Sequence, residues 1–126
     1  MTPTVLVVED EADLRMMTRF MLETRSRYKV IEASTGEEAL KIIDGEPVDV
    51  MLLDLRLPDM EGWEVLARLE AQGRFPALPV IMVSAHSATT TANRAQERGV
   101  RGYVRKPFTA EELFEVVKRA IGDDSG

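Results

Sequence analysis

Several apolar segments of this chain end in side chains that could bind a metal ion or a phosphate group. The polar residues at these segment ends are Glu9 and Asp10, Asp54, Ser84 and Lys106. The apolar runs are short and nearly continuous, which is typical of β-strands buried on both faces. The carboxyl ends of parallel strands meet along one edge of a sheet, where ligands of such sheets bind. The pattern therefore predicts a polar site built from the ends of neighbouring strands.

Asp54 follows an apolar run in which a charge is unexpected. A buried carboxylate is unfavourable unless a cation or hydrogen bonds compensate for its lost hydration. Asp10 follows another such run, and the two acids would repel each other. Mg²⁺ would bind both, because it prefers oxygen ligands and is commonly held by one or two carboxylates plus phosphate oxygens. Solvated acids at a helix start are the alternative interpretation, favoured for Glu11 but weaker for Asp10 together with Asp54.

Lys106 precedes Pro107 and is open to two interpretations. It is either a solvated loop lysine or a cation that reaches the acidic cluster. A cis bond before proline has a modest energetic cost and would fix the chain direction after the strand, which could direct Lys106 towards a phosphate. Ser84, taken alone, is consistent with an ordinary hydroxyl at a strand end. The chemistry therefore depends on whether these groups converge.

The segments between the apolar runs have helical periodicity. The predicted helices lie over residues 12–25, from Ser34 or Thr35 to Gly45, from Trp63 to Gly73, over residues 89–98 and after Thr109. In the first helix, Leu14, Met17 and Met21 form the expected apolar face. In the last, Thr109 and Glu112 have the spacing of a capping box. A further short strand is predicted over residues 28–33.

This alternation of five strands and five helices predicts an α/β fold, a doubly wound parallel sheet with helices on both faces. Strand order cannot be read from periodicity. The order 2-1-3-4-5 is one of the common arrangements for such a chain. It would make the first and third strands neighbours and so bring Asp10 close to Asp54.

Composition bounds the classes of function. A chain of 126 residues with a net charge of -6 fits one domain, which we predict over residues 1–122 with a flexible tail over residues 123–126. The acidic charge argues against direct nucleic-acid or anionic-membrane partners. The absence of cysteine excludes thiol chemistry, and no apolar run reaches the roughly 18 to 20 residues of a membrane helix. The predicted location is cytoplasmic.

Taken together, these residues resemble the receiver domain of two-component response regulators, which has a flavodoxin-like fold. The resemblance covers the whole chain. The matching segments are Val-Leu-Val-Val-Glu-Asp-Glu at 5–11, Leu-Leu-Asp-Leu-Arg-Leu-Pro-Asp-Met-Glu-Gly at 52–62, Val-Ser-Ala at 83–85 and Gly-Tyr-Val-Arg-Lys-Pro-Phe at 102–108. Each motif alone is weak, but their order and spacing agree with the family.

The resemblance implies that Asp54 is a phosphoacceptor for a sensor histidine kinase or a phosphotransfer protein. It implies that Mg²⁺ is bound by Asp10, by the Asp54 carboxylate and by the backbone carbonyl of Arg56. Glu9 stands where many members have aspartate, and we expect it to reach the metal through water. Lys106 is expected to pair with the phosphoryl oxygens. Such a chain is not an enzyme in the usual sense, but a regulator that assists its own phosphorylation and dephosphorylation.

The resemblance also implies a switch. Ser84 would move towards the phosphoryl group, and Tyr103 would fill the vacated space and change the face formed by the fourth helix, fifth strand and fifth helix. A strand tyrosine that never moves is the alternative. We hypothesise that Arg56 and His86 tune the lifetime of the phosphoryl group through their effect on water.

The output of the chain is less defined. Gly102 stands where winged-helix regulators of this family usually carry an acid, so the pattern is more similar to chemotaxis-type receivers. Arg94 and Arg98 form either a solvated helix face or part of a partner surface. We expect the signal to pass to an unknown downstream protein or to an attached output domain.

Other classes of protein fit these residues less well. The main alternative is a phosphorylation-independent interaction module with the same fold. A phosphatase that forms an aspartyl-phosphate intermediate typically has a second acid two residues after the first. Arg56 occupies that position here, which argues against this class. A flavin-binding protein of similar topology would need a phosphate-binding loop after the first strand, where Glu9 and Asp10 would repel the phosphate of the flavin ligand.

Overall fold

Five parallel strands form the centre of the fold in the computed structural model, which describes residues 2–85 and 89–122. The strands are β1 (Thr4–Val8), β2 (Lys29–Ala33), β3 (Val50–Asp54), β4 (Val80–Ser84) and β5 (Gly102–Arg105). The helices are α1 (Ala12–Arg25), α2 (Gly36–Gly45), α3 (Gly62–Ala71), α4 (Thr89–Arg98) and α5 (Ala110–Ile121). The predicted elements and the α/β class are confirmed. His86 and residues 123–126 lie outside the described residues.

The strand order is β2-β1-β3-β4-β5, as predicted. Val8 of β1 lies opposite Leu53 of β3. Glu9 and Asp54, the residues that follow these two, are therefore at neighbouring strand ends. On the other side, Asp54 pairs with Val83 of β4. The topology thus places acids from two strands at the carboxyl edge of the sheet.

Side chains of the strands alternate between two apolar layers. Leu6, Met51 and Met82 belong to the layer that α2, α3 and α4 cover. The strand residues on either side of each of these point to the other face of the sheet and pack beneath α1 and α5. Leu22 of α1 and Leu113 of α5 are fully buried there. Burying each such leucine contributes about 1.5 to 3 kcal/mol. Both faces are covered, which explains why the strand sequences are almost continuously apolar.

Most helix ends form where the sequence predicts. The Thr35 hydroxyl accepts a hydrogen bond from the backbone N–H of Glu38 and caps α2. Thr109 and Glu112 form the complete capping box at α5, and Gly122 ends that helix with a left-handed backbone. These polar side chains satisfy backbone groups that a helix end leaves without partners.

The predicted apolar face of α1 is wrong at Met17. Its side chain is 52% exposed, and the buried residues of α1 are Thr18 and Leu22. Periodicity alone could not distinguish the two faces, because α1 also has Met16 and Phe20 exposed on its outer surface. Within the residues that the structure describes, no helix is both long and apolar enough to cross a bilayer.

Candidate functional site

The strand ends bring the predicted acids together. Glu9 and Asp54 are buried, at 5% and 6% exposure, whereas Asp10 is exposed. One carboxylate oxygen from each of these three residues lies within 4.8 Å of the others. The predicted proximity of Asp10 and Asp54 is therefore observed. The three residues could hold a metal ion, and their hard oxygen atoms are the ligands that Mg²⁺ prefers.

Lys106 extends into this cluster rather than into solvent. Its Nζ lies 3.0 Å from Asp54 Oδ2 and 2.7 Å from Glu9 Oε1. The backbone N–H of Lys106 also donates to the carbonyl of Ser84, and the bond to Pro107 is cis. Sequence reasoning anticipated a lysine directed at the site but missed its ion pair with Glu9. The pair joins the ends of β1 and β3 through a residue that follows β5.

The charge balance of the cluster favours a cation. Three carboxylates face one ammonium group, so the cluster carries an excess of negative charge. Burial raises the pKa of Glu9, although the hydrogen bond from Lys106 acts in the opposite direction. Burial alone would lower the pKa of Lys106, but hydrogen bonds to Glu9 and Asp54 outweigh it and raise that pKa. Lys106 is thus held as a cation, and it does not fully compensate for the buried acids.

The Asp54 carboxylate is oriented by a contact on each oxygen. The backbone N–H of Arg56 donates to Oδ1 at 3.1 Å, while Lys106 occupies Oδ2. An open cleft, lined in part by Asp10, Arg56 and Ser84, lies over the carboxylate. A buried acid is therefore fixed in place with solvent access on one side.

The segment after β3, residues 55–61, is termed the acceptor loop. The backbone N–H of Gly62 donates to the carbonyl of Leu55 at 2.6 Å, and Arg56 pairs with Glu61 in an antiparallel bridge. Gly62 is required here, because a Cβ would lie 2.7 Å from the carbonyl oxygen of Asp54. Backbone contacts therefore close this loop upon itself.

Asp59 connects the acceptor loop to the start of α2. Its carboxylate accepts hydrogen bonds of 2.9 Å from the backbone N–H groups of Gly36 and Glu37. Burial is the largest single effect and raises the pKa of Asp59, but the backbone hydrogen bonds, led by those from Gly36 and Glu37, together outweigh it and lower that pKa. Sequence reasoning assigned these residues to a turn and missed this contact, because its partners lie more than twenty positions earlier in the chain.

The segment after β1, residues 9–11, is termed the acid loop. The backbone N–H of Glu9 donates to the carbonyl of Ala33, and that of Glu11 donates to Glu9 Oε2. The carbonyl of Glu9 accepts a 2.7 Å hydrogen bond from the guanidinium of Arg15, which also approaches the carbonyl of Asp10 at 3.5 Å. Arg15 was not predicted. The signal available was its position one helical turn after Glu11.

Ser84 and Tyr103 lie on adjacent strands. Ser84 is buried at the end of β4, and Tyr103 is a half-buried residue of β5 opposite Met82. Met82 and Tyr103 contact the same apolar layer. Ser84 is two residues after Met82, so strand alternation directs its side chain to that side. The two residues of the predicted switch therefore share one face of the sheet.

Gly102 has a packing reason for its identity. A Cβ at this position would lie 2.7 Å from Cγ1 of Val116 on α5. Any larger residue at position 102, an acid included, would therefore require the Val116 side chain to shift.

Arg94 and Arg98 both lie close to an aromatic ring of the neighbouring helix. Their guanidinium carbons lie 4.3 Å and 5.8 Å from the ring centre of Trp63 on α3. Cation–π attraction at such distances is worth about 0.5 to 2 kcal/mol. These residues connect α4 to the start of α3, directly after the acceptor loop.

Both the sequence and the fold have known relatives. The family model of the response regulator receiver domain matches residues 5–118. Transcriptional regulatory protein KdpE of Mycobacterium tuberculosis is 38% identical over 117 residues, which are 93% of this chain and 50% of that protein. A chemotaxis protein CheY homolog of Campylobacter jejuni is 31% identical over 123 residues, 97% of this chain and 95% of that one. This chain thus spans about half the length of KdpE.

A solved structure shares the fold. The crystal structure of a CheY-like response regulator receiver domain protein from Methanospirillum hungatei matches with a TM-score of 0.85 and 29% sequence identity. The match covers 98% of this chain and 96% of that chain.

Proposed function

The chain belongs to the response regulator receiver domain family, and on that premise we propose that Asp54 accepts a phosphoryl group from a phosphohistidine. The donor would be a sensor histidine kinase or a phosphotransfer protein. The family is a signalling domain of two-component systems and not a classical enzyme. The proposal for this chain adds that its own residues assist both phosphorylation and dephosphorylation.

One observation carries the proposal. A buried carboxylate, Asp54, opens into a solvent-accessible cleft and is 3.0 Å from the ammonium group of Lys106. A merely structural ion pair would not require two further acids within reach, and Glu9 and Asp10 are both there. An interaction module without phosphoryl chemistry would have no use for this excess of negative charge.

In the proposed reaction, an oxygen of Asp54 forms a bond to phosphorus while the bond between phosphorus and the donor's imidazole nitrogen breaks. The imidazole leaves with the bonding electron pair. Lys106 would pair with the phosphoryl oxygens, and Ser84 would donate a hydrogen bond to them after transfer. This is catalysis by positioning and by compensation of charge.

The acidic cluster fits a magnesium ion. Asp10, Asp54 and the backbone carbonyl of Arg56 would hold the ion directly, and Glu9 would do so through water. Mg²⁺ would neutralise charge on the transferring group. Arg56, which is exposed at the edge of the cleft, and His86 would influence the access of water to the product.

A binding partner would detect phosphorylation through a change in the face formed by α4, β5 and α5. Movement of the Ser84 hydroxyl towards the phosphoryl group would let Tyr103 turn inward. A groove lined by Ala92, Gln96 and Tyr103 lies on this face, and a change in the tyrosine would alter it. This partner would be a downstream protein or an attached output domain, in the cytoplasm.

The experiment is incubation with Mg²⁺ and acetyl phosphate, followed by intact mass measurement. We expect one added phosphoryl group, which should not form when Mg²⁺ is chelated before acetyl phosphate is added. Asp54→Asn should abolish the adduct. Asp44→Asn is the matched control, because Asp44 is an acid with a 79% exposed side chain in α2, and this variant should be modified like the wild type.

Absence of an adduct on the folded wild type across Mg²⁺ concentrations would contradict the proposal. It would favour the phosphorylation-independent interaction module. An adduct that persists in Asp54→Asn would assign the acceptor to another residue.

A further inference from the structure

The Arg15 side chain contacts the acid loop through the backbone carbonyl groups of the loop. It donates a 2.7 Å hydrogen bond to the carbonyl of Glu9 and lies 3.5 Å from the carbonyl of Asp10. Its side chain is only 19% exposed. Arg15 therefore contacts the backbone of both acids and leaves their carboxylates open to the cleft.

Glu32 of β2 holds Arg15 in turn. Arg15 Nε lies 3.0 Å from Glu32 Oε1, and the other carboxylate oxygen of Glu32 is 2.7 Å from Arg19 Nη1. The hydrogen bonds from Arg19 and Arg15 outweigh the effect of burial and lower the pKa of Glu32. The guanidinium of Arg15 is thus tied on one side to a carboxylate and on the other to the loop.

The other contacts of the acid loop involve its N–H groups and the Glu9 carboxylate, so the carbonyl groups of Glu9 and Asp10 depend on Arg15. The start of α1 has no side-chain cap, because Glu11 makes no capping hydrogen bond. Glu9 is a buried residue, and a buried carbonyl group needs a hydrogen-bond donor. A planar guanidinium can donate to several acceptors at fixed angles. Without Arg15, the described contacts would leave the carbonyl of Glu9 to water.

We propose that Arg15, anchored by Glu32, is a positioning residue that fixes the acid loop so that Glu9 and Asp10 present their carboxylates to the same cation as Asp54. The inference rests on the proposed Mg²⁺ site. It assigns a role to two residues that do not touch the metal or the phosphoryl group.

Two effects of Arg15 have opposite signs and can be separated. As a nearby positive charge, Arg15 weakens the attraction of the cluster for a cation, so its removal would tighten binding. As a positioning residue, Arg15 strengthens binding, so its removal would weaken it. Positioning is the larger effect in our proposal, because the guanidinium contacts the loop backbone directly.

The experiment measures Mn²⁺ binding by electron paramagnetic resonance, with displacement by Mg²⁺. Mn²⁺ is a suitable probe because it accepts the same carboxylate ligands. We expect Arg15→Gln to weaken binding about tenfold, at the lower end of the range for partners that orient metal ligands. Arg15→Lys keeps the charge but cannot bridge both partners, and we expect it to bind more weakly than the wild type. Glu32→Gln should weaken binding by a smaller factor.

Arg19→Gln is the matched control. Arg19 lies on the same helix and shares Glu32, yet its hydrogen bonds go to Glu23 and Glu32 and not to the acid loop. Arg19→Gln loses two ion pairs, whereas Arg15→Gln loses one, yet Arg19→Gln should keep the affinity of the wild type within error. Thermal unfolding of each variant, followed by circular dichroism, separates lost stability from lost binding.

Equal or tighter binding by folded Arg15→Gln and Arg15→Lys would overturn the inference while leaving the metal site intact. A wild-type chain that binds no Mn²⁺ would instead contradict the proposed metal site itself. If Arg15→Gln does not fold, Arg15→Lys and Glu32→Gln decide the question.

Discussion

The acid loop and the acceptor loop contribute to the same candidate site, but different kinds of contact hold them. The acceptor loop closes through its own backbone, with Gly62 bonded to Leu55 and Arg56 paired with Glu61. The acid loop is shorter and depends on a side chain, Arg15, for its carbonyl groups. Lys106 is the one described residue that forms ion pairs with both Glu9 and Asp54.

The difference shows how each loop should respond to mutation. A loop closed by backbone contacts should tolerate most side-chain substitutions. It should not tolerate an added side chain at the position where its backbone packs closely against a strand. A loop held by a side chain can be released without changing the fold. The site therefore combines an acceptor loop closed by its own backbone with an acid loop whose carbonyl groups are hydrogen-bonded by a side chain of α1.

Loss of the shared cation should have the largest effect. Lys106→Met leaves two buried carboxylates without their ammonium partner, and we expect a loss of about 3 kcal/mol in the free energy of unfolding without metal. This is at the lower end for a broken buried pair, because the Lys106 side chain is 20% exposed. Urea denaturation measures the change.

Mg²⁺ should restore part of that stability. The excess negative charge is greater in Lys106→Met, and a ligand that binds only the folded state stabilises it. Lys41→Met, which removes an exposed lysine from α2, should be close to the wild type. A Lys106→Met variant as stable as this control would show that the ion pairs do not hold the loops together.

Gly62→Ala tests the rigid loop. The new Cβ would lie 2.7 Å from the carbonyl oxygen of Asp54, a backbone atom that cannot turn away. We expect a net loss of about 2 kcal/mol, because overpacking costs up to about 3 kcal/mol and alanine recovers up to about 1 kcal/mol in helix propensity. The free energy of unfolding, measured by chemical denaturation, and the yield of the acetyl phosphate adduct should both decrease.

The control for this variant is Gly45→Ala. Gly45 lies at the end of α2, and a Cβ there would meet nothing within 4 Å. This variant should be as stable as the wild type or more so. If both glycine variants behave alike, the close approach of Gly62 to β3 is not what shapes the loop.

Asp59→Ala should have the smallest effect of the three. The variant removes the carboxylate that binds two N–H groups at the start of α2, and loss of a helix-capping side chain typically costs about 1 kcal/mol. The acceptor loop retains its backbone closure, so the phosphoryl adduct should still form. Denaturation at neutral pH measures the loss, with Asp13→Ala, an exposed acid in the first turn of α1, as the control.

The effect of Asp59 should depend on pH in a defined direction. Because the folded-state pKa of Asp59 lies below its usual value of 3.8, its contribution is present above pH 3.8. It is lost as the pH falls through the lowered folded-state pKa. The stabilities of wild type and Asp59→Ala should therefore converge in acid. A difference that stays constant across this range would mean that the ionised carboxylate is not responsible.

Much of this arrangement could be predicted from the sequence, for reasons particular to the residues. The strand ends were predictable because burial on both faces leaves continuous apolar runs, so Asp54 and Ser84 stand out at their ends. The caps at Thr35 and Thr109 were predictable because they depend on residues three positions apart. Such signals are local.

The parts that were missed depend on how the elements are oriented and packed against one another. Arg15 reaches a carbonyl because of how α1 lies over β1, and Asp59 reaches α2 because the acceptor loop lies beside it. The pairing of Glu9 with Lys106 and the exposure of Met17 also follow from packing. No periodicity in the sequence encodes these orientations.

The most direct test of the account is to identify the modified residue chemically. The chain is phosphorylated with acetyl phosphate and Mg²⁺, reduced with borohydride, which converts an aspartyl phosphate to homoserine, and digested with trypsin. Cleavage after Lys41 and Arg56 gives one peptide that contains Asp54 with Asp44 and Asp49 as internal controls. We expect homoserine at position 54 alone and only when Mg²⁺ is present. Homoserine at Asp44 or Asp49, or at position 54 without Mg²⁺, would contradict it.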